Sequence, residues 1–139
     1  MIVFESPAIA LYLTDRFPQN RVGPTVGEPL RGAYLSWLCY YTGVLEPAFM
    51  SKFMNTDVPR GTAGWVPPDE AMAAVIEVLS RGPYLLGERF SAADVLYGTT
   101  FAMFGPSPLM PKSQVVEDYV KRIVTRPAFA RAQALDDGG

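Results

Sequence analysis

An all-α fold is predicted for this 139-residue chain by three observations. Apolar residues recur at helical spacing through most of its length. Proline and glycine, 13 and 12 of them, gather in the breaks between the periodic stretches. Ile2-Val3-Phe4 is the one segment that reads as a strand, and a lone strand can neither satisfy its backbone nor bury a sheet face. The expected fold is therefore a helical bundle with a remnant strand and helix at its start.

Each element has a local reason. Ser6 is placed as an N-cap with Pro7 at the first helical position, where a missing N–H costs nothing. Ile9, Tyr12 and Leu13 then form an apolar face, and Phe17-Pro18 stops the helix. Residues 19–29 are broken by glycine and proline and read as a linker. From Leu30 to Met54 runs the longest helical pattern. One stripe is Leu30, Tyr34, Trp37, Tyr41 and Val44; the other is Leu35, Leu38, Leu45, Phe49 and Phe53. Two apolar sides predict a central helix, and Pro47 predicts a kink near Gly43–Pro47.

Residues 55–68 read as a loop long enough to form a rim or lid. Asp69 and Glu70 place acidic charge at the positive end of the next helix, whose stripe is Met72, Val75, Ile76 and Leu79. Gly82-Pro83 ends it. Ser91 and Asp94 form a Ser-x-x-acid capping box, with Phe90 and Val95 spaced as its hydrophobic staple. Gly98 inside that helix predicts a close crossing with another helix. Residues 105–111 are a proline-rich loop. Ser113 to Arg126 is helical with Val116, Tyr119, Val120 and Ile123 on one side; Pro127 opens a last helix through Leu135, and 136–139 is a frayed tail.

Composition narrows the function. The net charge of −2 and the scattered basic residues disfavour a nucleic-acid or anionic-membrane surface. No apolar run is long enough to span a bilayer, and the start lacks the pattern of a signal peptide. Cys39 is the only cysteine, so no intrachain disulfide forms and a cytoplasmic location is the default. With apolar neighbours in sequence, Cys39 reads as a buried inert thiol. The absence of histidine removes the commonest zinc ligand and general base, and with them a Ser-His-Asp or Cys-His hydrolase; no metal site is expected.

Three segments carry a family resemblance. The first is the strand followed by Glu5-Ser6-Pro7-Ala8-Ile9, with Tyr12-Leu13. The second is Tyr84-Leu85-Leu86-Gly87-Glu88 leading into Phe90-Ser91 and Asp94. The third is Tyr119, Arg122 and Arg126-Pro127-Ala128. In order and spacing they resemble the glutathione S-transferases: the end of the thioredoxin-like domain, then the all-helical C-terminal domain. The resemblance implies that 1–18 is a remnant of the N-terminal domain, 19–29 a linker and 30–139 the helical domain. It implies that the intact enzyme joins glutathione, as co-substrate, to a small apolar electrophile, and that a homodimer forms.

It also implies that Glu5 and Ser6 hold the γ-glutamyl end of glutathione. A carboxylate suits the ammonium, and a hydroxyl at a helix N-terminus suits the α-carboxylate. Read as structure alone, Glu5 is an exposed charge and Ser6 a cap. The family's thiol-activating Tyr, Ser or Cys and its cis-proline precede the Glu-Ser pair, so neither has a counterpart in this sequence, no catalytic residue is assigned, and the chain alone is expected to be inactive. Tyr34, Trp37 and Tyr41 on the long helix are the candidates for the apolar substrate pocket, with Tyr97, Phe101 and Phe104 on a face of the later one; an aromatic stripe at helical spacing is more often ordinary core. Ser91 and Asp94 are assigned a structural cap. Glu46 and Arg31 read as solvated or at a subunit contact. Two competing readings stay open: a non-catalytic docking or dimerisation module, and a helical bundle unrelated to transferases.

Overall fold

The computed structural model describes residues 2–108 and 110–138. Met1, Leu109 in the proline-rich loop and Gly139 in the expected tail lie outside the described residues. Helices follow at α1 (Ser6–Arg16), α2 (Arg31–Tyr40), α3 (Glu46–Phe53), α4 (Pro68–Leu79), α5 (Ala92–Phe104), α6 (Gln114–Val124) and α7 (Pro127–Asp137). A π-helical turn, Tyr41–Leu45, joins α2 to α3 without a break. The last helix thus runs through two of the residues expected in a frayed tail.

No β-strand occurs among the described residues; two isolated bridges close a turn at Tyr84–Arg89. The strand expected at Ile2–Phe4 is a correction. Those residues pair with nothing, and Ile2 and Phe4 are among the most exposed large side chains of the molecule. A strand needs a neighbour for its backbone groups, and none of the described segments offers one.

Helix α5 is the central element, packed against α1, α2 and α6. The core forms an aromatic ladder: Trp37 and Tyr41 meet Tyr97, Tyr97 meets Phe101, and Phe101 meets Tyr119, with centroids 5.3–6.3 Å apart. The expected stripes of α4 and α6 hold: Met72, Val75 and Leu79, and Val116, Tyr119 and Ile123, are buried. The two stripes drawn on the long helix do not. Its buried residues are Tyr34 and Tyr41 from one stripe, Leu38 and Leu45 from the other, and Ala48 from neither, while Leu30, Leu35 and Phe53 are exposed.

The kink expected around Pro47 takes the form of the π turn. Proline offers no N–H and its ring would strike a carbonyl one turn back. The chain widens instead: the backbone N–H of Glu46 reaches the Tyr41 carbonyl, five residues earlier.

The capping box is present. Ser91 N–H donates to Asp94 Oδ2 at 2.8 Å and the Ser91 hydroxyl to the same oxygen at 3.1 Å. Phe90 is held by the Tyr84 ring and by the Arg126 guanidinium 3.5 Å from its centroid, while Val95 is exposed.

Two ionic clamps fix the connector between α1 and α2. Arg31 grips Asp15 with both guanidinium nitrogens at 2.9 Å and also donates to the Pro24 carbonyl at 2.9 Å. Arg31 is therefore neither solvated nor free for a subunit contact, since only 15 % of its side chain is exposed. Arg89 pairs with Glu28 at 2.6 Å and donates to the Gly23 carbonyl at 3.1 Å. Hydrogen bonds from Arg89 and then Thr25 lower the Glu28 pKa to about 2. Because Arg31 ties α1 to the bundle, R31M is expected to lower stability by about 1 kcal/mol. Amide exchange should quicken in α1 before it does in α5; equal protection of α1 in both proteins would show that the clamp is idle.

Candidate functional site

Helix α1 carries the first candidate group. Glu5 stands at its N-cap with φ 69°, a left-handed conformation that costs a non-glycine residue about 1–3 kcal/mol. The Glu5 carbonyl accepts the first helical bond, from Ile9 N–H at 2.9 Å. Ser6 is accordingly the first helical residue rather than the N-cap, and no side chain caps this end. Both Glu5 and Ser6 are exposed. Pro7 removes one donor, and the remaining uncapped N–H groups form a positive terminus beside a carboxylate and a hydroxyl.

The orientation of α1 differs from the expected one. Ile9, Tyr12 and Leu13 face outward, each 39–42 % exposed, and Ala10 and Thr14 are buried against the bundle. Periodicity located the apolar face but not the side that packs. The inner contact is polar at its centre. Thr14 Oγ1 donates to the Ala10 carbonyl at 2.8 Å and lies 3.0 Å from the Tyr34 hydroxyl. Gly23 passes over this pair so closely that a Cβ there would sit 2.7 Å from the Tyr34 ring, so only glycine fits.

Tyr34 is thus fully buried and committed to holding α1. Burial raises its pKa, opposed by the bond with Thr14. Trp37 is half-buried, and its carbonyl accepts the Tyr97 hydroxyl at 2.8 Å. Burial likewise pushes the Tyr97 phenol up. Cys39, expected to be buried, is exposed on α2.

The cleft lies further along. A cavity of about 730 Å³ opens between the π turn and α3 on one side and the end of α5 on the other, within the usual range of about 300–1,000 Å³ for ligand pockets. Tyr41 lines it; Tyr34 and Trp37 do not. Its apolar wall is made by Phe49, Met50 and Phe53 from α3 and by Met103, Phe104 and Met110 from the opposite side. The Tyr41 hydroxyl lies 2.6 Å from Thr100 Oγ1 at its edge. Glu46 also lines it and is exposed. Of the aromatic face read on the later helix, Phe104 lines the cleft while Tyr97 and Phe101 are core; sequence reasoning missed Met103 and Met110.

Comparison with solved structures gives this architecture a name. A glutathione transferase from Methylococcus capsulatus superposes with a TM-score of 0.77 at 24 % identity, over 97 % of this chain and 68 % of that one. The fold is that of a glutathione transferase C-terminal domain. BphK, a bacterial transferase seen in a ternary complex, gives a TM-score of 0.75 at 21 % identity with the same two coverages. A sphingomonad glutathione S-transferase complexed with glutathione gives 0.70 at 25 % identity, again over 97 % of this chain and 68 % of that one. No protein-family model and no curated protein sequence matches the chain. Among the described residues no three His, Cys, Asp or Glu side chains gather to hold a metal, and no helix is long and apolar enough to cross a membrane.

Proposed function

We propose that this chain is the C-terminal part of a cytosolic glutathione S-transferase, with residues 1–18 closing the thioredoxin-like domain. The observation that carries this reading is the two-sidedness of α1. Its inner side docks on the bundle through Ala10 and Thr14, while Ile9, Tyr12 and Leu13 present an apolar outer side, and Ile2 and Phe4 just before the helix are exposed as well. So many exposed apolar side chains ask for a cover, and in a transferase that cover would be the rest of the thioredoxin-like domain.

Glu5 and Ser6 then hold the γ-glutamyl end of glutathione. The strained Glu5 backbone supports this role, because a positive φ at a non-glycine residue is costly and such strain gathers at ligand-binding positions. The cleft at Tyr41 takes the apolar electrophile, and the group that favours thiolate over thiol comes from the N-terminal domain. As a homodimer or a monomer, the 139-residue chain by itself is expected to show no conjugation of glutathione to chlorodinitrobenzene. Joined to the N-terminal domain of a bacterial transferase it should turn over, and E5Q in that fusion should weaken glutathione binding about 10- to 100-fold. Robust turnover by the isolated chain would overturn the reading. A fusion that folds but neither binds glutathione nor turns over would favour the alternative, a non-catalytic docking or dimerisation module.

A further inference from the structure

The lining of the cleft is apolar except at one edge. Among the described residues Glu46 is its single charged member, and it shares that edge with the Tyr41 and Thr100 hydroxyls. No lysine or arginine pairs with Glu46 among the described residues. The nearest basic residue in sequence, Lys52, is turned toward Asp69 at 3.6 Å, and Arg60 is engaged by Glu70. The carboxylate is near enough to Tyr41 to push its phenol further up, beyond the effect of burial and against the bond with Thr100. An uncompensated negative charge at the rim of a low-dielectric hollow attracts a cation and repels an anion. Three methionines, Met50, Met103 and Met110, line the remainder, and unbranched thioethers adapt to ligands of varied shape.

We propose that this cleft selects apolar aromatic ligands carrying a protonated amine, with Glu46 as the residue that sets the preference by pairing with the ammonium. The inference rests on the reading of the cleft as the apolar-substrate site and adds the charge of its ligand. Carboxylate-bearing aromatics are disfavoured by the same residue. A preference for cationic molecules follows from one side chain, so it is separable from the apolar capacity of the wall.

Three matched probes test it on the chain as it stands: 1-naphthylmethylamine, naphthalene-1-methanol and 1-naphthoate, titrated while the amide resonances of residues 41–53 and 100–104 are followed. The amine should bind about fivefold more tightly than the alcohol, and the alcohol more tightly than the naphthoate. E46Q should bring the amine to the affinity of the alcohol, and E46K should favour the naphthoate. Glu46 is exposed, so both variants are expected to fold, which circular dichroism checks. Equal affinities for amine and naphthoate, or an unchanged order in E46Q, would overturn the proposal. If the alcohol still moves the cleft amides in that case, the charge preference falls and the apolar cleft stands. If no probe moves them, both fall.

Discussion

D94A is expected to remove about 3–5 kcal/mol of stability, a large fraction of the 5–15 kcal/mol typical of a domain. Asp94 is wholly buried, yet its carboxylate accepts four hydrogen bonds. Oδ1 takes Leu85 N–H at 2.9 Å and the Tyr119 hydroxyl at 3.0 Å. Oδ2 takes the Ser91 N–H and hydroxyl. Burial raises its pKa while these four donors oppose the rise. The residue therefore joins three segments: the Tyr84–Arg89 turn, the start of α5 and the middle of α6. Alanine takes the carboxylate from two backbone N–H groups and from the Ser91 and Tyr119 hydroxyls, of which the phenol alone keeps a long bond to the residue-94 carbonyl; each buried donor left unpartnered costs about 1–3 kcal/mol. D94N keeps the volume but turns an NH₂ toward a donor, so it should lose less than alanine and still more than S91A, for which about 1 kcal/mol is expected. Urea unfolding followed by circular dichroism gives the order. A D94A protein within 1 kcal/mol of the parent would show that water or a rearranged turn replaces the carboxylate.

G98V should cost about 3 kcal/mol or more. A Cβ on Gly98 would lie 2.6, 2.8 and 2.9 Å from Cγ1, Cγ2 and Cβ of Ile123. Ile123 is β-branched, so in a helix it holds essentially one rotamer and cannot swing aside. G98A meets the same overlap, about 1–3 kcal/mol, but regains up to about 1 kcal/mol of helix propensity. The decisive measurement is the double-mutant cycle with I123A. The loss caused by G98A should shrink by at least about 1 kcal/mol in that background. Strict additivity would mean that α5 and α6 separate freely and that the glycine is incidental.

Both effects rest on features legible before the structure. The Ser91–Asp94 spacing is local, and a glycine amid helix formers calls for a close neighbour; neither needs knowledge of the tertiary arrangement. What sequence could not supply was direction. The spacing of Ile9, Tyr12 and Leu13 defined a face, but a short helix with one side docked and the other uncovered gives the same pattern whichever side packs. The two stripes drawn along residues 30–54 failed because the π turn shifts the phase between Tyr34 and Ala48, so one regular period cannot describe both halves. Cys39 was misplaced for a related reason: apolar neighbours in sequence point to several directions around a helix. The Arg31 and Arg89 clamps join residues 16 and 61 positions apart, beyond the reach of any local rule. The cleft was partly visible, through Tyr41 and Phe104, but the methionines of its far wall come from a helix end and loop some sixty residues later and carried no signal.

The widened turn at Tyr41–Leu45 holds one residue more than an α-turn would. An added residue rotates everything beyond it by about 100° about the axis. Phe49, Met50 and Phe53 thus owe their heading to an irregularity four residues upstream of the first of them. Evolution could retune what this wall recognises by sliding or erasing a single bulge, leaving every side chain that touches a ligand unchanged in identity.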